Sequence, residues 1–403
     1  MNSVGIDISK GRSTVAVMRP FGEVVISPFE VRHTDSELSE LARQLKSLDG
    51  ETRVVMEATG NYHAPVAKLL HDAGLYVSVI NAKLVHGYGN NDLRRVKTDK
   101  KDAVKLANYG LDRWLTLPRY VPEEDTRLLL KNCYRQYRQY SKVQTILKNN
   151  LISLLDTVFP NANRLFSSPI RVDGSEKWVD FVAEFWHCRC VSEKSQKAFT
   201  NKYQRWCRKH GYNFSEAKAH TIHAEACGHI DVIPKSETTK LLVEQAVAQL
   251  RATSAALAAL KHEMQALASM LPEYPVVMAM RGVGDSLGPQ LMAEIGDVTR
   301  FTHRNAITAF AGVDPGADQS GTYEAKSTRA SKSGPPELRK ALFLVMDCLL
   351  KTMPQDDPVY RFMDKKRAEG KPYLVYMTAG ANKFLRIYYG RVKEYLASRE
   401  NAD

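Results

Sequence analysis

The sequence predicts a mixed α/β fold at the N-terminus, joined to a long helical middle with an inserted segment and then to a mainly helical C-terminal part. Three observations predict it. Strand-like alternation fills the first 27 residues, two long helical stretches carry apolar residues at heptad spacing, and helices alternate with Gly-rich polar loops after Pro272. At 403 residues the chain can bury a large core and form two or more domains.

In the first part, "SVGIDISKG" and "RSTVAVMRP" alternate like the arms of a hairpin, and a "FGE" turn leads into a third strand, "VVISPFEV". A helix over "DSELSELARQLKSL", a strand over "TRVVMEATG", a helix over "APVAKLLHDAG" and a strand over "LYVSVIN" follow. Asp7 falls in the first strand and Glu57 near the end of the fourth. The next stretch, "KTDKKDAVKLANYG", sets Asp99 and Asp102 three residues apart near a helix start, among Lys97, Lys100 and Lys101. Two readings stand: the aspartates cap the helix and suit its dipole, or they form half of a site.

Long helices over residues 123–156 and 237–271 follow. Leu250, Leu257, Met264 and Leu271 lie seven apart, with Leu260 and Leu267 offset by three, which is a coiled-coil seam expected to contribute to oligomerisation. On the first helix Tyr134, Tyr137 and Tyr140 alternate with Arg135, Arg138 and Lys142. They either stack on bases and clamp phosphates, or the tyrosines pack and the arginines face water. The intervening segment holds Cys188, Cys190, Cys207 and Cys227 with five histidines. It lacks the paired C-x-x-C spacing of a zinc ribbon, which favours buried thiols over a zinc site.

Near the C-terminus, "RGVGDS" places Gly282 and Gly284 between two helices, either as a phosphate-approaching hairpin or as a plain helix turn. Ser320 follows in the polar loop "DPGADQSG", with Lys326, Arg329, Lys332, Arg339 and Lys340 after it. A loop serine is the ordinary reading. At a phosphodiester, however, these cations would stabilise the charge that builds up as a hydroxyl attacks.

Lys and Arg outnumber Asp and Glu, 57 to 45, for a formal charge of +12, which favours a polyanionic partner, nucleic acid first. No apolar run is long enough to cross a membrane, and no signal-peptide layout opens the chain, so a cytoplasmic location is expected. A central sheet would bring Asp7, Glu57, Asp99 and Asp102 together. Four clustered acids repel unless cations compensate, and hard oxygen donors suit Mg2+ or Mn2+. Lys97, Lys100 and Lys101 would then hold the substrate backbone. No Walker-type phosphate loop is present, in keeping with a reaction that needs no ATP.

In their order, "GIDISK", "MEATGNYHAP", "KTDKKDA", "GVG", "AFAG", "QSG", "SKSG" and "LRKAL" resemble the insertion sequence 110 transposase family, the bridge-RNA-guided recombinases of mobile elements. The resemblance covers about residues 1–120 and 272–395. Between the matched parts the heptad spacing predicts coiled-coil helices in 121–160 and 236–271 around an insert at 161–235, while the resemblance implies an α/β RuvC/RNase H-like domain over 1–120. It also implies a serine-bearing, mainly α domain with a helix-hairpin-helix element over 272–395. The family's four acids fall on Asp7, Glu57, Asp99 and Asp102, and its serine on Ser320. The resemblance further implies a guide RNA that pairs with donor and target DNA, a covalent phosphoserine intermediate, a tetramer with composite sites, and a nucleoid-associated protein of a prokaryote. Two other functions remain open on the residues alone: a RuvC-like metal-dependent nuclease such as a junction resolvase, with water as nucleophile, and a non-catalytic nucleic-acid-binding scaffold.

Overall fold

Alternation across the first residues becomes a hairpin, in which β1 (Asn2–Ser9) and β2 (Arg12–Met18) pair antiparallel from Ser3↔Met18 to Ser9↔Arg12. The computed structural model describes residues 1–88, 98–316, 319–320, 323–324 and 329–401, with positions 83, 319, 320, 323 and 324 described by their backbone alone. Lys97 and Lys326 lie outside the described residues. The chain divides into two compact units, Met1–Glu123 and Glu124–Asp403.

In the first unit β3 (Val24–Arg32) adds antiparallel to β2, while β4 (Thr52–Glu57) and β5 (Tyr76–Ile80) add in parallel on the other side of β1, giving the order β3-β2-β1-β4-β5. The parallel connections run through α1 (Asp35–Lys46) and α2 (His63–Asp72). Helix α1 begins where the Thr34 hydroxyl accepts the Glu37 amide. It buries Leu38, Leu41, Ala42 and Leu45, one helical stripe, against the sheet. Val4, Ile6, Ile8, Val54 and Met56 supply the sheet side of that core. The opposite face is covered by α4 (Asp99–Asp112), with Leu106 and Tyr109 packing on Val55 and Ile80. The short α3 (Ala82–His86) adds Val85 there. With both faces covered, the central strands read as almost continuously apolar.

The second unit is built on α5 (Asp125–Val158) and α10 (Glu237–Ser269), which pair with each other along their length. Of the heptad residues, Leu250, Leu257, Met264, Leu267 and Leu271 are buried and Leu260 is half-buried. The inserted segment forms α6 (Lys177–Glu184), α7 (Arg189–Ser192), α8 (Gln196–His210) and α9 (Glu216–Gly228). Their aromatic core includes Phe181, stacked on Phe185 at 4.7 Å, and Tyr203 on Trp206 at 5.6 Å. It packs on Leu151, Leu155, Val247 and Leu250, at one end of the helix pair.

At the other end of the pair, Leu130, Tyr134, Met264 and Leu267 pack on the C-terminal helices: α11 (Tyr274–Met278), α12 (Leu287–Ile295), α13 (Arg304–Ala311), α14 (Pro336–Thr352), α15 (Pro358–Ala368) and α16 (Tyr373–Glu400). A buried bidentate pair, Arg127 with Glu273, ties the start of α5 to the start of α11. Its Nη2···Oε2 distance is 2.9 Å, and the two side chains are 7% and 1% exposed. Removing one partner would strand a buried charge.

The seam is therefore filled from within one chain. Leu257→Glu would lose the burial of a leucine and place a charge in the interface, costing about 3 kcal/mol or more. A shift of the denaturant midpoint to lower concentration is expected, and an unchanged midpoint would show that α5 and α10 do not depend on this contact.

Candidate active site

Gly5 decides where α4 sits. A Cβ at this position would overlap the Ala103 carbonyl oxygen and the Ala107 amide and would lie 3.0 Å from the Leu106 Cβ. Only a strand residue without a side chain lets helix backbone come this close. Further along the same helix, a Cβ on Gly110 would overlap the Ser3 hydroxyl and lie 2.8 Å from Val55 Cγ2. Ser3, Gly5 and Val55 therefore face α4, and the helix runs so that its start points toward the C-terminal ends of β1 and β4.

Asp7 and Glu57 each stand two residues beyond a position that faces α4, so they share that face. Two strand residues advance about 6.6 Å, and the four helix residues from Ala103 back to Asp99 advance about 6 Å. The backbone thus brings Asp7, Glu57, Asp99 and Asp102 to one corner of the unit. Asp7, Glu57 and Asp102 are half-buried, and Asp99 is exposed beside exposed Lys100 and Lys101.

The choice between cap and site also has a structural answer. Thr98 is the N-cap, its hydroxyl accepting the Lys101 amide at 3.3 Å, and the two aspartates sit within the first turn. The capping role is taken by a residue that the acidic pattern had masked. As donors, four carboxylates suit a hard divalent cation. Among the described residues, however, no three His, Cys, Asp or Glu side chains stand close enough to hold an ion. The backbone sets the four acids at this corner.

Ser320 lies in the second unit, in β6 (Gln319–Ser320), which pairs antiparallel with β7 (Tyr323–Glu324) so that Ser320 stands opposite Tyr323. The hairpin is anchored at its base. Pro315 bridges Ala330, the Ser331 amide donates to the Asp314 carbonyl at 3.1 Å, and the Lys332 amide donates to the Gly312 carbonyl at 3.1 Å. A Cβ on Gly334 would overlap the Phe310 carbonyl, and one on Gly312 would lie 2.8 Å from the Gly334 and Ser333 amides. The "AFAG" and "SKSG" stretches are thus two sides of one backbone contact.

Arg339 closes this contact. Its guanidinium Nη1 donates to the Ala311 carbonyl at 3.2 Å and to the Gly334 carbonyl at 2.7 Å, so half-buried Arg339 ties the two segments at the hairpin base. Arg138, also read as a nucleic-acid contact, is ion-paired with Glu337. Tyr134 is core, and burial pushes its hydroxyl up to about 12, while Tyr137 packs against the same core. Of that tyrosine–arginine surface, Arg135 stands exposed and Tyr140 is 36% exposed. Lys332 is exposed with φ 51.

Between α11 and α12, Gly282 has φ 79, and a Cβ there would lie 3.1 Å from the Val345 carbonyl, so it serves packing on α14. Gly284 is exposed with open space around it, and it remains the glycine of this turn that a phosphate can approach. In the insert, burial raises the thiol pKa of Cys188 and Cys207, and Cys227 is exposed.

Acids placed at the C-terminal ends of neighbouring strands repel a phosphate unless a cation stands between them. In a chain of net charge +12, four carboxylates at one corner are a donor set of the kind used by enzymes that work on phosphodiesters with a divalent metal. Residues 4–160 match the DEDD transposase family model of IS110 elements, and residues 274–361 match the model described as transposase, IS116/IS110/IS902 family. The chain belongs to the IS110 family of transposases, enzymes of DNA recombination.

It is 20% identical over 393 residues to an uncharacterised 43.6 kDa protein of insertion element IS110 from Streptomyces coelicolor, covering 97% of this chain and 94% of that one. Pilin gene-inverting proteins of Moraxella bovis and Moraxella lacunata are each 23% identical over 341 residues, 85% of this chain and 80% of theirs. Membership implies a divalent metal, for which Mg2+ is a fitting ion, and action on DNA. Among the described residues no helix is long and apolar enough to cross a membrane.

Gly5→Ala should push α4 away from β1 and lose about 1–3 kcal/mol through overpacking. DNA cleavage should fall with it, because Asp99 and Asp102 ride on the displaced helix. Gly87→Ala, with open space and no positive φ, serves as the control. Equal melting temperatures and equal cleavage in the two variants would show that the close approach is not needed.

Proposed function

We propose that this transposase exchanges strands between donor and target DNA through a phosphoserine intermediate on Ser320, guided by an RNA that pairs with both DNAs. In this reading residues 1–120 are the acid-bearing domain and residues 272–395 the serine-bearing domain. The observation that carries it is the pairing of two separately built features in one chain, an acidic corner fixed by α4 and a serine on a hairpin whose base is clamped by Arg339. The guide RNA and a tetrameric assembly rest on the family resemblance, and the excess of cations supports a nucleic-acid partner.

Chemically, Ser320 Oγ attacks phosphorus, an Oγ–P bond forms, the P–O bond to the departing strand breaks, and that strand's oxygen gains a proton. In the reverse step a strand hydroxyl displaces serine, so the bond energy is retained and no ATP is needed. Asp7, Glu57, Asp99 and Asp102 would hold Mg2+ or Mn2+, an ion that would supply polarisation of a bound phosphate. Lys100 and Lys101, exposed next to the acids, clamp the substrate backbone. The relatives named for inverting a pilin gene support a cut-and-rejoin reaction, since inversion must restore both junctions.

The test is to incubate protein with guide RNA, Mg2+ and nicked DNA, then map any protein–DNA adduct by mass spectrometry. The adduct should sit on Ser320, vanish in Ser320→Ala and need the divalent ion. Asn at any one of the four acids should reduce cleavage by about 100-fold or more, on the order expected when transition-state charge stabilisation is lost. Cleavage that persists in Ser320→Ala with no adduct would instead assign water as the nucleophile and make the protein a metal-dependent nuclease.

A further inference from the structure

The corner where α15 meets α16 concentrates charge that neither the acidic corner nor the serine hairpin uses. Residues 361–393 carry nine Lys or Arg against two Asp or Glu, a net +7 of the chain's +12. Both acids are already engaged, Glu369 with Lys366 at 2.8 Å and Asp364 with Arg367 at 3.3 Å. The Lys366 hydrogen bond, with the charges of Lys365 and Lys371 adding to it, holds the Glu369 carboxyl below the usual range. From the other helix, Lys383 lies 4.7 Å above the Phe362 ring, which Lys366 shares at 5.9 Å.

Beside these cations stands an apolar surface that the fold leaves outside. In "GKPYLVY", Tyr373 is 53% exposed, Leu374 67% and Val375 49%, and Met353 at the end of α14 is 54% exposed. Further along α16, Met377, Ala381, Phe384 and Leu385 are buried, so the exposed large apolar side chains of this helix are confined to its first turn. Tyr373 meets Tyr376 edge-on at 5.5 Å, which braces the ring while leaving half of it open. A solvated helix face does not need a tyrosine, a leucine and a valine in succession at its tip.

We propose that this corner binds single-stranded nucleic acid, with Tyr373 stacking on an unpaired base and Lys365 and Lys371 holding the adjoining phosphates. Cations beside an exposed ring are what an unpaired strand requires, since it offers phosphates and open base faces together. Duplex DNA hides its base faces and would use the charge but not the ring. A membrane would require an apolar stripe continuing along α16, and those positions are in the core. The proposal rests on the nucleic-acid reading of the preceding subsection and locates one contact of that partner away from the serine.

Full-length protein in EDTA, where no strand is cut, is titrated into a labelled thymidine homopolymer, a labelled uridine homopolymer and a duplex of the same length. Tyr373→Ala should weaken both homopolymers about fivefold or more and leave the duplex nearly unchanged. Lys365→Ala with Lys371→Ala should lower the slope of log affinity against log salt by about 1.4, or about 0.7 for each phosphate that is no longer neutralised. The homopolymer bound more tightly tells whether the strand is RNA or DNA. An unchanged salt slope, or a tyrosine effect equal on duplex and single strands, would overturn the proposal. Because no chemistry occurs in this assay, its failure leaves the Ser320 adduct untouched, and a missing adduct leaves this surface untouched.

Discussion

The contact between Gly5 and the backbone of α4 sets the geometry on which the acidic corner depends. Asp7 and Glu57 are placed by strand register alone, because β1 and β4 are parallel neighbours aligned residue for residue up to Ile6 and Met56. Asp99 and Asp102 come from a different element and reach the same end only if α4 lies flat on the sheet with its start over the strand tips. A glycine within a strand costs about 0.5–1 kcal/mol relative to alanine. Here that cost is offset by the burial of Leu106 and Tyr109 against Val55 and Ile80.

The second unit uses a related solution where a loop must be held. Gly312 and Gly334 let two backbone segments cross at the base of the Ser320 hairpin, and the Arg339 guanidinium spans the crossing by bonding a carbonyl from each side. The acids and the serine are therefore presented differently, the first by helix-on-sheet packing and the second by a clamped hairpin. The long α5 and α10 helices tie the aromatic core of the insert to the C-terminal helices, and the buried Arg127–Glu273 pair fixes the end nearest those helices.

Much of this was legible in the sequence because the signals were periodic. The five strands of the first unit, the heptad row from Leu250 to Leu271 and the helix behind "DAVKLANYG" follow from spacing of apolar residues. The acids could be picked out as a set because they fall at strand ends and at a helix start. Partners across the fold could not be read this way. Arg339 and Arg138 look like any surface cation until the Gly334 carbonyl and Glu337 are seen beside them. Thr98 was overlooked as a cap because its acidic neighbours are capping residues too. The glycine of "SVGIDIS" was the one available clue to the close approach of α4, since an isolated glycine inside a strand pattern signals nearby backbone.

Diffraction from crystals of the full chain soaked in Mn2+, recorded for the anomalous signal of the metal, tests the account most directly. It predicts manganese at the corner bounded by Asp7, Glu57 and the first turn of α4, with carboxylate oxygens of Asp99 or Asp102 among the ligands. Manganese held only elsewhere, with the α4 acids turned away from Asp7 and Glu57, would contradict the claim that the Gly5 contact exists to build a metal site.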